Sequence, residues 1–164
     1  MTELLFALRL IHVVSGMGWL GEVMTINFVL LPALFRADAK DQMTLLNTVF
    51  PYVFRLATVL GGTAVLSGLT LVLLYTGFNL SPLIYSRWGW LLLTGGTLGT
   101  SLYTFHLFQE SGMERSLAAH MAFAVADNDR KAMTALLRKL AIFPRAGMIV
   151  LLIIVSLMIA AAHI

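Results

Sequence analysis

The chain has 164 residues, of which 59% are hydrophobic and 12% charged; its formal net charge is +3 and it contains no cysteine. A soluble domain is typically about 45–50% apolar and about 25% charged, so an ordinary globular protein is excluded. The absence of cysteine excludes disulfides, thiolate nucleophiles, cysteine-held zinc or iron–sulfur centres and covalent c-type haem.

The basic residues lie in connections beside apolar segments, where topology and anionic lipid headgroups account for them; no nucleic-acid partner is expected. The opening "MTELLFALRLIH" lacks a basic n-region and a small-residue cleavage site and carries Glu3 and Arg9. It reads as the start of a span, not as a cleaved leader.

Crossing the roughly 30 Å hydrocarbon core takes about 20 apolar residues. Four segments qualify, at about residues 4–34, 53–78, 88–108 and 146–163. Lipid offers no hydrogen bonds, so all four are expected to be helices. The predicted fold is an all-α integral membrane four-helix bundle forming a single transmembrane domain, with lipid as its surroundings. Its self-association is left open.

Arg36, Lys40 and Arg55 follow the first span, and Arg115, Arg130, Lys131, Arg138, Lys139 and Arg145 precede the fourth. Nine of the eleven basic residues thus fall on one side. The positive-inside rule puts that side in the cytoplasm and both termini outside the cytoplasmic (inner) membrane. Within the last connection, residues 113–126 and 129–143 read as short amphipathic helices along the cytoplasmic surface. Asp127 or Asp129 would cap the second, and Pro144 would break the chain before the fourth span. Trp88 and Trp90 suit an aromatic belt at the outer interface.

The first span carries polar residues that a lipid anchor has no use for. At about 100° per residue, His12, Ser15, Trp19, Glu22, Val23 and Ile26 share one stripe. A charge facing lipid costs about 2.5–3.5 kcal/mol at a helix centre, so the stripe should face inward. Gly16, Gly18 and Gly21 lie among these residues and would admit a close neighbour. His12 is either an interior histidine bonded across helices or a ligand of a metal or haem. Glu22 is a candidate catalytic proton carrier, an ion-pair partner of Arg55, or a protonated acid in a cavity.

In the third span Gly95 and Gly99 form a small-xxx-small pair, followed by Tyr103 and His106 on one face. Gly61, Gly62, Ser67 and Gly68 form a similar run in the second. These faces suit tight helix packing or a slot for a planar cofactor lined by Ser15, Trp19, Gly95, Gly99 and Tyr103. At about 1.5 Å per residue, His12 lies roughly 10 Å from the outer end and His106 roughly 28 Å from it. His12 and His163 then belong to the outer side, and His106 and His120 to the inner one. These histidines form two metal or haem sites, one site with a single protein ligand, or an outer site with merely solvated inner histidines.

The combination of His12, Trp19, Gly21 and Pro32, within "HVVSGMGWLGEV" and "NFVLLPAL", resembles a superfamily of four-span membrane proteins. It includes the copper resistance protein D (CopD) membrane domains, the HemJ-type protoporphyrinogen oxidases and the membrane part of some urate oxidases. The HemJ branch implies haem b ligated by His12 and oxidation of a porphyrinogen. That branch also has a lysine after a tryptophan early in the third span, where this chain has Trp88 and Trp90 and no lysine. The copper branch implies passage of copper through His and Met, and here Met17 and Met24 lie on a face turned away from His12.

The leading expectation is a haem b redox protein with His12 as axial ligand, exchanging electrons with quinone or a redox partner protein or acting as an oxidase. Copper handling and a structural subunit of a membrane complex are the alternatives.

Overall fold

The computed structural model describes residues 2–126 and 130–163; at residues 2, 39, 109–126, 130–136, 139 and 140 it describes the backbone alone. The described chain is helical, without strands. Its elements are α1 (Thr2–Thr25), π1 (Ile26–Leu30), α2 (Leu31–Arg36), α3 (Ala39–Thr44), π2 (Leu45–Val49), α4 (Phe50–Thr76), α5 (Ser81–Tyr85), α6 (Arg87–Ala126) and α7 (Arg130–Ala162). The first three form one rod and α3–π2–α4 a second. Asp38 separates them and caps α3 by accepting the Asp41 amide at 2.9 Å. Gly77 ends α4 in the left-handed region, φ 57°, and the Phe78 amide closes back on the Leu73 carbonyl at 3.0 Å.

Among the described residues three helices are long and apolar enough to cross a membrane: Glu3–Arg36, Lys40–Thr76 and Ala141–Ala162. α6 is not one of them, and the run of glycine, threonine and serine from 94 to 101 dilutes its apolar character. The outward faces carry Phe6, Val14, Phe28, Val59 and Leu66, each more than half exposed. Apolar surface on this scale suits lipid, not water.

Two features of the last connection differ from expectation. The stretches at 113–126 and 130–143 are the end of α6 and the beginning of α7, continuous with the helices they adjoin. Asp127 and Asp129 lie outside the described residues. Pro144 does not break the chain either; it sits inside α7. Proline has no N–H and so frees the carbonyl four residues before it; the Pro144 carbonyl itself accepts from Asn27 Nδ2 at 2.9 Å, which ties α7 to the first rod.

α1 packs chiefly on α4 and α6 on α7, with further contacts between α4 and α6 and between α1 and α7. One end of the bundle is filled by Ile26, Leu31, Leu34, Leu46, Phe50 and residues of α7. A second apolar cluster, higher in the bundle, centres on Trp19, Leu20, Val23, Ala57 and Leu151. At the opposite end Arg9 donates to the Tyr75 hydroxyl and lies over its ring, joining the start of α1 to the end of α4.

π1 sets the phase of the first rod. Buried positions step from Ser15 to Trp19, Glu22, Val23 and Ile26, then jump five places to Leu31, and Val29 faces out. A π turn absorbs an extra residue and rotates the helix beyond it, which brings Leu31 and Leu34 inward. Leu34 has no exposed surface. Leu34→Ala should therefore lower unfolding stability by about 2–5 kcal/mol, read as the shift in a denaturant titration followed by circular dichroism.

Candidate functional site

His12 reaches from α1 to α4. Its Nδ1 lies 2.8 Å from the Ala64 carbonyl oxygen. A carbonyl only accepts, so Nδ1 carries the hydrogen, and in the neutral ring Nε2 is the nitrogen with the lone pair. The approach depends on Gly68: a Cβ there would lie 2.7 Å from His12 Cε1 and 3.0 Å from Nδ1. Orienting one ring nitrogen by a backbone carbonyl leaves the other ready to ligate.

The stripe does turn inward: Ser15, Trp19, Glu22, Val23 and Ile26 are buried and His12 is half-buried. Ser15 is bonded within its own helix, Oγ donating to the Ile11 carbonyl at 2.6 Å, and presents no hydroxyl hydrogen to a neighbour. Of the three glycines in the stripe only Gly18 meets another helix, at Leu60; Gly16 and Gly21 face open space. The expectation of close approach holds at Gly18 alone, because the glycines are spread around the helix and one side meets α4.

The small-residue faces do not form a cofactor slot. Gly61 and Gly62 are covered by Tyr103 and Trp19: the Tyr103 hydroxyl would come within 2.7 Å of a Cβ at Gly62. Trp19 and Tyr103 meet edge to face with centroids 6.2 Å apart. Gly95 faces Met158 and Gly99 faces Ile154, so these two glycines serve the packing on α7. Ser15, Trp19, Gly95, Gly99 and Tyr103 therefore do not line one space. The protein's own side chains occupy the room that glycines open.

The histidines are separate. His163 is exposed and bonded through Nδ1 to the Ile159 carbonyl of its own helix. His106 Nε2 lies 3.0 Å from Thr58 Oγ1, with the Phe54 ring nearby. No group of three or more His, Asp or Glu among the described residues is placed to hold a metal ion. The His120 side chain lies outside the described residues.

Glu22 is 7% exposed, and neither carboxyl oxygen has a hydrogen-bond partner among the described residues. Arg55 is exposed, so the expected ion pair does not form. Counted from Arg55, Phe54 and Ala57 turn toward the bundle while the guanidinium turns away. Glu22 instead faces a cavity of about 80 Å³ that it shares with His106, walled by Trp19, Phe50, Phe54 and Phe105 among others. The cavity lies between the two apolar clusters: Ile26 and Phe50 belong to the lower one and Trp19 and Leu151 to the upper.

The sequence offers Arg55 as a partner for Glu22, yet the depth count that places His106 also brings Glu22 to its level. Glu22 lies 17 residues past Leu5, roughly 26 Å down at about 1.5 Å per residue, close to the level of His106. The Ala64 carbonyl as partner of His12 had no signal beyond Gly68 four residues later.

No family model matches the chain, and neither curated proteins nor solved structures give a match.

Gly68→Ala should push the imidazole off the Ala64 carbonyl and cost about 1 kcal/mol of net hydrogen bonding. The signature is loss of the His12 Nδ1–H signal in nitrogen NMR with helix content unchanged.

Proposed function

We propose that this chain is a four-span bundle protein of the cytoplasmic membrane, with both termini outside, that presents His12 as ligand to a haem b and serves redox chemistry. The observation that carries the reading is the His12–Ala64 hydrogen bond, which orients the ring and frees Nε2. The resemblance of His12, Trp19, Gly21 and Pro32 to the CopD and HemJ superfamily points the same way. α6, bounded by α4 on one side and α7 on the other, supplies the remaining span, and the basic connections give the orientation.

The ligand atom fits a haem; the lining does not. Trp19 and Tyr103 cover the glycines that were to face a macrocycle, and the cavity beside Glu22 is not lined by His12. A haem on Nε2 would supply one-electron chemistry. The chain's own contribution is to orient the imidazole through the Ala64 carbonyl. A second reading, a structural subunit, is favoured by the same packing: Ser15 is bonded within its own helix, and Gly95 and Gly99 are packed against α7.

Absorption spectra of detergent-purified protein, expressed with ample haem and recorded oxidised and dithionite-reduced, separate the two. Wild type should show a Soret band with sharp reduced bands, and His12→Ala should lose them while remaining monodisperse. A colourless wild type overturns the haem reading and leaves the structural one.

A further inference from the structure

The buried Glu22 carboxyl stands apart from the His12 reading and does not depend on it. Three buried side-chain polar atoms among the described residues lack a partner: both Glu22 oxygens and Asn27 Oδ1. All three are oxygens that accept hydrogen bonds. An ionised carboxylate without a partner would leave an uncompensated charge against apolar walls, a costly arrangement. The cavity it faces, about 80 Å³, accommodates two or three waters at about 30 Å³ each. Such waters need polar anchors, and the walls offer Glu22 on α1 and His106 on α6. From α4 the lining residues are Phe50, Phe54 and Ala57, and from α7 they are Phe143, Pro144, Gly147 and Leu151, none of them titratable.

We propose that this cavity is an intramembrane proton-holding site, in which Glu22 and His106 share an exchangeable proton through a small water cluster. When His106 gives up its proton, an N–H bond breaks, water passes the proton along, and an O–H bond forms on Glu22. The charge of the pair is conserved in that transfer and changes only when a proton enters from, or leaves to, bulk water. The two apolar clusters bound the pair above and below. Asn27 and Pro144 join π1 to α7 beside it.

The test is infrared difference spectroscopy of the purified full-length chain across pH, in H2O and D2O. The expected result is a protonated-carboxyl stretch that shifts in D2O, is lost in Glu22→Gln, persists in His12→Ala, and moves its titration midpoint in His106→Gln. Gly147 has room for a methyl group, the nearest side-chain atom lying 3.8 Å from a built Cβ. Gly147→Ala narrows the cavity without touching either titratable group and should slow the deuterium shift several-fold, so a failure of Glu22→Gln to fold would not remove the test. No such band at any pH, or a band blind to D2O, overturns the proposal. A band abolished by sodium but not by choline at equal ionic strength would identify an alkali-cation site and overturn the proton assignment.

Discussion

Between helices in hydrocarbon a polar group can bond only to other helices or to its own, and the arrangement of this bundle reflects that constraint. The side-chain hydroxyls of Ser15, Thr25, Thr70 and Ser156 bond to carbonyls of the preceding turn. They leave no polar demand on their surroundings. His12 instead takes the Ala64 carbonyl of α4, which makes the α1–α4 contact a matter of chemistry as well as packing. Glu22 takes no partner among the described residues, and is the exception that marks the interior.

Glycine does two jobs here. On α4, Gly61, Gly62 and Gly68 let the aromatic and imidazole rings of Tyr103, Trp19 and His12 lie against bare backbone. On α6, Gly95 and Gly99 let α7 approach. Both are uses of small residues in a medium where no hydrophobic force draws helices together and close contact must do so. The same residues in a soluble protein would weaken their helices for little return.

The core is divided into a lower cluster around Leu34 and an upper one around Trp19, and the polar cavity falls at the seam. Near this seam the first rod changes phase through π1 and α7 carries its internal proline, with Asn27 bridging the two. Irregular backbone is costly in a bilayer unless it is buried in protein or lines a cavity. Both irregularities here meet that condition.

The sequence by itself determined the helical class, the apolar lengths and the inward stripe from His12 to Ile26, because hydropathy and a 3.6-residue period are local properties. The stripe stops being legible at Ile26, since nothing in "INFVL" announces a π turn, and the burial of Leu31 and Leu34 depends on it. Pro144 reads locally as a break, yet it sits inside α7, and its carbonyl accepts from a partner 117 residues away in sequence. The pairing of small-residue faces was also invisible locally: a glycine run states that something can come close, not what. That Tyr103 and Trp19 fill one face and Met158 the other, and that Glu22 shares a cavity with His106 and does not pair with Arg55, was decided by the tertiary structure, because each depends on how separate helices rotate and slide against one another.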